Sequence, residues 1–399
     1  MDGQSNWQGS VVLSSNTQLA AVVSEYSGYA PTLGQGFRAD AYPGASSIAA
    51  STNISIPQLL RNVPDSGTNG FYNSTIAIQN TSATAPANVT LTYKNYNGNL
   101  YSRSVSIPAN SSHITQLDTD SALSPLGTTL FYGTGTVTSS DQPVTVVVST
   151  NSIGFLSTFA GFTSSDAATT LYAPQLLKYV YDGDTDYTWS TSILAMVADG
   201  STGDVTVTYY PQGGSPVSST QKGVSMATFD QRFAVEIPGG FYGSAVISAN
   251  KPVIAFVYYL VDYTASRGVE GSAYRAFTTS GAGTTVYIPL LRKNDYDPLA
   301  GVTWSTSVLG RLLGSGSTTI TITYYHSNGN TYTQTWYQTL TPTNPMFTLD
   351  QRFSAIPNGS MSAVIRSNPP QPFAANVLVI PPKTVLGDGL MSFPGVPGP

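Results

Sequence analysis

The residue types that carry most enzyme chemistry are scarce in this 399-residue chain. Its histidines are His113 and His326, its glutamates are Glu25, Glu236 and Glu270, and it has no cysteine. Catalysis or metal ligation by histidine needs partners at defined spacing. Neither histidine has them, and His326, beside a hairpin turn, is expected at the surface. A glycosidase holds two carboxylates across a sugar ring. Asp230 and Asp350 instead recur inside Asp-Gln-Arg-Phe (Asp230 to Phe233, Asp350 to Phe353), with Asp118 at the matching place earlier. A group present in every copy reads as a structural device. These carboxylates are expected at a corner of the fold, paired with Arg232 and Arg352, because buried charges need partners.

The loop Asp182-Gly183-Asp184-Thr185-Asp186 alternates carboxylates that could ligate calcium, a hard cation. It lacks a closing bidentate glutamate, and the matching loops offer only Asp65, or Asp295 and Asp297. A solvated loop is the reading adopted, with calcium left open there. Sequons stand at Asn53, Asn73, Asn80, Asn88, Asn110 and Asn358. In the pairs Tyr209-Tyr210, Tyr258-Tyr259 and Tyr324-Tyr325, one ring is expected in a core and the other at the surface or a subunit contact. No catalytic, cofactor-binding or metal-ligating residue is assigned, and no cofactor is expected.

The elements that must position these residues are built from an unusual composition. Only 9% of residues are charged, while hydrophobic residues reach 41% and aromatics 11%, enough for packed cores. A net charge of −5 without a cluster of Lys and Arg argues against nucleic acid as a partner. No apolar run approaches the roughly 20 residues of a membrane-spanning helix, and no signal peptide precedes Asp2. The hydroxyl-rich, tyrosine-rich surface suggests an extracellular or cell-surface location.

Internal repeats organise the chain. Pro-x-Leu-Leu segments stand at Pro57, Pro174 and Pro289 (Pro289-Leu290-Leu291 in the last), about 115 residues apart. Each is followed by a segment of the Trp189-Ser190-Thr191-Ser192-Ile193 type, then by a strand ending in Thr-Tyr, such as Val89 to Tyr93. Branched apolar residues alternate there with Thr, the pattern of a half-buried strand. Asn97-Gly98, Gly213-Gly214 and Asn328-Gly329 supply the positive φ of tight hairpins. A closing pair of apolar strands, expected as a hairpin, ends each unit at Phe131, Phe241 and Ser362. Glycine-bearing linkers follow, at Gly154-Phe155 for example. The fold class read from this is all-β: three tandem immunoglobulin-like β-sandwich repeats plus an N-terminal half repeat. The divisions are 1–52, 53–170, 171–284 and 285–399.

A fourth closing pair opens the chain at Gly9, with no first half before it. An isolated hairpin is marginal in water. It could add to the edge of the first sandwich, be completed by a neighbouring subunit with Thr384 to Phe393 as donor, or belong to a half domain that has been removed. The assembly residues expected from the second case are Val11, Val12, Leu13, Leu19, Val22 and Val23 on one side and Val385, Leu386, Leu390 and Phe393 on the other. A head-to-tail contact of that kind gives open filaments.

The Pro-x-Leu opening, the Thr-Tyr strand before Asn-Gly and the Phe-Tyr-Gly-Ser closing segment together resemble tandem Ser/Thr/Tyr-rich β-sandwich repeats of prokaryotic secreted and cell-surface structural proteins. The resemblance implies a non-enzymatic scaffold, a filament, sheath or surface layer made of copies of itself. The alternative is an adhesin or carbohydrate-binding module, with surface glycans as partners.

Overall fold

The computed structural model describes residues 11–17, 19–27, 37–44, 50–65, 70–152, 155–185, 187–262, 269–298, 300–382, 387–388 and 390–398. Among them the chain is all-β, interrupted by short 3-10 turns. An opening pair, β1 (Val22–Ser27) and β2 (Phe37–Pro43), precedes the first unit. That unit runs β3 (Asn53–Arg61), β4 (Val63–Asp65), β5 (Gly70–Asn80), β6 (Ala87–Asn95), β7 (Leu100–Ile107), β8 (Ser112–Gln116), β9 (Phe131–Ser139), β10 (Val144–Ser152) and β11 (Phe155–Ala160). The second runs β12 (Ala168–Lys178), β13 (Val180–Asp182), β14 (Tyr187–Val197), β15 (Gly203–Pro211), β16 (Val217–Val224), β17 (Met226–Asp230), β18 (Phe241–Asp262) and β19 (Val269–Arg275). The third runs β20 (Thr285–Lys293), β21 (Asp295–Asp297), β22 (Val302–Leu312), β23 (Thr319–His326), β24 (Thr331–Thr335), β25 (Met346–Asp350), β26 (Gly359–Asn368) and β27 (Phe373–Ile380). It closes with β28 (Gly387–Asp388), β29 (Met391–Pro394) and β30 (Val396–Pro397).

Strands from matching sequence segments pair alike. In the first unit β3-β9-β6-β7 form one sheet, while β5, flanked by β8 and β10, continues to β11 in the other. The alternation read in the sequence sets the faces: Val89, Leu91 and Tyr93 of β6 are buried while Thr90 and Thr92 face outward. Outward hydroxyls then bond across strands, as in Thr90 to Ser104 at 3.0 Å and Thr206 to Thr220 at 2.8 Å. The hairpin turns keep their positive φ at Gly98, Gly213 and Gly329.

The Pro-x-Leu motif is a β-bulge. The register of β3, β12 and β20 shifts between Ile56 and Leu59, Ala173 and Leu176, and Ile288 and Leu291. Proline has no N–H for the ladder, so the strand must break step there. Leu59, Leu176 and Leu291 then enter the cores fully buried.

Three features differ from the sequence reading. The closing pairs are not hairpins: β9 lies in one sheet and β10 in the other, and in the second unit both are one 22-residue strand, β18, that crosses between sheets. The Asn-Lys-Pro segment is therefore a sheet-to-sheet corner rather than a tight turn. The supposed linkers are strands, because β11, β19 and β29 each pair with the preceding apolar strand. The immunoglobulin comparison holds for two facing antiparallel sheets but not for strand order. There the first strand neighbours the second; here β3 pairs β9, and β5 takes β10.

Candidate assembly site

The opening segment does not repeat its counterparts. Residues 11–17 and 19–21 contain no strand, and regular pairing starts at Val22. The equivalent strand β9 is held between β3 and β6, and among the described residues no strand pairs with residues 11–21. Val11, Val12, Leu13 and Leu19 are exposed at 55, 69, 65 and 51%, and Val23 at 40%. Val22 is half-buried against the third core. The tail residues lie elsewhere: Leu390 and Phe393 are buried within this chain, Phe393 on β29 opposite Val377 of β27. Val385 and Leu386 fall outside the described residues.

The β1–β2 pair is seated at a four-strand junction. The register places Val23 opposite Tyr42, as Val148 is opposite Phe159, Val257 opposite Tyr274 and Val377 opposite Phe393. So β2, β11, β19 and β29 are counterparts, and they pack in a ring: β2 on β11 and β29, β19 on β11 and β29. The ring also brings an early and a late segment together, since Phe37 and Arg38 run parallel to Gly387 and Asp388.

Asp40 lies fully buried in this ring. Its carboxylate accepts from Ser272 Oγ at 2.6 Å, the Ala41 N–H at 2.8 Å, the Ser392 N–H at 3.4 Å and the Thr158 N–H. One residue thus touches β11, β19 and β29. Burial pushes the Asp40 carboxyl well above the usual carboxylate range, and the donors only partly offset it. Asp40 escapes the sequence reading because the glycine-bearing segment that holds it reads as a linker. The signal was an acidic residue standing where the other copies have Ser157, Ser272 and Met391.

Successive units are packed head to tail. The first core continues into Leu194, Met196, Ile254 and Phe256 on the outer sheet face of the second unit, with Phe159 stacked on Phe256 at 5.3 Å. The second core continues into Leu309, Ala374 and Leu378 of the third. The third continues into Ala39 and Ala41 of β2. Arg275 spans the first contact, bonding Asp166 at 3.0 Å with its guanidinium over the Phe162 ring. Arg352 of the third unit bonds Asp182 of the second at 3.0 Å.

The other sequence candidates are placed as follows. Asp230 and Asp350 cap short turns through the N–H groups of Arg232 and Arg352 and hold both guanidinium groups. The matching register position in the first unit is Gln116, not Asp118, since Thr75 faces Gln116 as Ser192 faces Asp230. The cap there is Asp120, paired with Arg103. His326 is buried, not at the surface: its Nδ1 accepts from the Asn328 N–H at 3.0 Å and its Nε2 faces the Pro357 carbonyl. Burial, then the Arg103 charge, lowers the pKa of His113. Asp182 is engaged by Arg352, Asp186 lies outside the described residues, and no metal-holding group of three occurs among the described ones. Tyr209, Tyr259 and Tyr324 enter cores. Their neighbours Tyr210 and Tyr258 serve unit contacts, beneath Arg311 and on Gln58, and Tyr325 is exposed. No helix among the described residues is long and apolar enough to cross a membrane.

No protein-family model matches the chain, and no curated protein matches it. Among solved structures, the crystal structure of "Thermotoga maritima 1070" is similar at 17% identity, over 28% of this chain and 93% of that one, with a TM-score of 0.23. A tetra-tandem repeat from the extending region of a large adhesion protein is similar at 12% identity, covering 90% and 77%, with a TM-score of 0.11. A DUF4785 family protein of Legionella pneumophila is similar at 9% identity, covering 95% and 93%, with a TM-score of 0.14.

Proposed function

We propose that this chain is a non-enzymatic structural protein, extracellular or at the cell surface, that assembles with copies of itself through its N-terminal hairpin. The observation that carries the reading is the contrast between the two ends. The tail is used within the chain, while Val11 to Leu13 and Leu19 present apolar side chains to solvent immediately before an edge strand. Edge strands with exposed apolar residues recruit further strands. Sedimentation velocity and negative-stain imaging of the purified chain over a concentration series test it. Polymers that disappear when residues 1–21 are deleted support the reading; a monomer at every concentration refutes it.

A second reading, an adhesin or carbohydrate-binding module, is favoured by exposed rings at matching places, Tyr181 and Tyr296, and Phe233 and Phe353. Rings of this kind can stack on sugars. A glycan array with a hit lost on Tyr181→Ala and Tyr296→Ala would promote it.

A further inference from the structure

We infer that the second and third units each carry a two-ring platform, Tyr181 with Phe233 and Tyr296 with Phe353, and that one chain of a neutral polysaccharide stacks on both. The inference rests on the carbohydrate-binding reading above and is independent of the assembly reading.

The register puts the two rings of each unit on one sheet edge. Strand β18 pairs with β14 from Thr188 to Val197, so β13 and β17 share the other edge of β14, end to end. Tyr181 stands opposite Thr188 there, and Asp230, where the turn of Phe233 begins, opposite Ser192. Four residues of strand span about 13 Å. The turn fills that gap, since Thr191 Oγ1 donates to Gln231 Oε1 at 2.9 Å. The third unit repeats the spacing, with Tyr296 opposite Thr303 and Asp350 opposite Ser307.

The turns hold their rings in place. Asp230 accepts from Arg232 Nε and Nη2 at 3.0 and 2.7 Å, and Asp350 holds Arg352 in the same way. Each guanidinium lies over the neighbouring ring, 5.5 Å from the Phe233 centroid and 5.3 Å from that of Phe353. Gln231 and Gln351, fully buried, donate to the Phe229 and Leu349 carbonyls at 2.8 and 3.3 Å. Phe233 and Phe353 are nevertheless 75 and 71% exposed, and Tyr181 and Tyr296 64 and 59%. Rings fixed in advance lose little further freedom when a ligand lands on them.

The fold does not require these rings. The first unit, built on the same strands, has Pro64 in the place of Tyr181 and Thr119 in that of Phe233. Phe71, opposite Pro64, is exposed there, but no ring pairs with it at the turn. A single exposed apolar residue is ordinary; the same pair at the same register in two successive units is not. The negative ring faces attract the weakly positive C–H faces of sugars. The charged groups that hold the rings pair with one another, which favours a neutral sugar over a uronic acid or an amino sugar. Arg352 also pairs with Asp182, next to Tyr181, so the two platforms are fixed relative to each other. A polymer held at one platform meets the second as an intramolecular contact.

The test runs the full chain by affinity electrophoresis in gels holding hydroxyethyl cellulose, glucomannan or dextran, with alginate as the acidic comparison. Expected are retardation by at least one neutral polymer and none by alginate. Phe233→Thr and Phe353→Thr, each introducing the residue type that the first unit carries there, should each weaken binding to the polymer at least tenfold. The double variant should not be retarded, whereas Tyr325→Thr, exposed elsewhere on the third unit, should behave as the parent. No retardation in any neutral gel, retardation in alginate alone, or full retardation of the double variant would each overturn the inference. In the last case carbohydrate binding stands and only its place is wrong, so the two readings fail separately. Polymers of the chain that vanish in the double variant without sugar would assign the rings to contacts between copies and overturn it as well.

Discussion

Asp40 and Ser272, 232 positions apart, meet at 2.6 Å with neither residue exposed to solvent. The bond ties the opening strand pair to the second unit, and the same carboxylate takes N–H groups from the first and third. Its effect on stability should depend on pH. The folded-state pKa lies above the unfolded value of about 3.9, so the proton is held more tightly in the folded chain. The favourable contribution is complete below that unfolded value and is lost as pH rises through the folded one. Denaturant unfolding should therefore show a larger gap between the parent and Asp40→Ala at pH 4 than at pH 8. An equal gap at both would contradict this account.

Tyr179 holds a φ of 50°, a left-handed conformation unfavourable for a bulky side chain. The matching residues are Asn62 and Asn294, at 52° and 43°. Tyr179→Asn should raise stability by about 1 kcal/mol, since asparagine tolerates this region. Thermal melting would detect the shift, and a lower melting temperature would show that the ring makes a compensating contact.

Arg311 is buried between the second and third units without an ion-pair partner among the described residues. Its guanidinium rests 4.4 Å from the Tyr210 ring centroid and donates to Ser244 Oγ, while burial pulls its pKa down to about 10. The matching residue one unit earlier is Met196. Arg311→Met should leave stability unchanged or raise it by about 1 kcal/mol, because the charge is desolvated and incompletely matched. Arg311→Ala should lose about 2 kcal/mol to the cavity. Paired denaturation curves decide; a large loss with Met would mean the cation–π contact dominates.

The sequons divide by burial. Asn80 is buried, and its amide donates to the Ala85, Ile107 and Pro108 carbonyls at 2.8, 3.0 and 3.1 Å. Asn53, Asn88, Asn110 and Asn358 are exposed. After secretion from a glycosylating host, glycopeptide mapping should find sugar at exposed sites and none at Asn80, because a glycan there is incompatible with the fold. Occupied Asn80 in folded material would refute the placement.

Much of this architecture was legible in residue order, because each local signal reports a local constraint. Thr alternation in Val89 to Tyr93 gave strand faces, and Asn-Gly gave hairpins, both set by neighbours in sequence. The corner at Asn250-Lys251-Pro252 was misread because an apolar-turn-apolar pattern is the same whether two strands pair or part into facing sheets. Burial of His326 escapes the sequence reading because part of its cover, the Pro357 carbonyl, comes from a segment 31 positions away, while Tyr332 closes over it from the other side of its own hairpin. Val11 to Leu13 stand out in the sequence because they open a closing pair that has no first half before it. Asp40 does not, because its meaning arises only when strands from all parts of the chain converge.

The parallel run of Phe37 and Arg38 beside Gly387 and Asp388 has a mechanical corollary. A molecule pulled from Val22 and from Pro397 would load β1 on β2 and β30 on β20 first, and this two-rung clasp next. Stretching such a chain should begin with small early ruptures, followed by three larger ones.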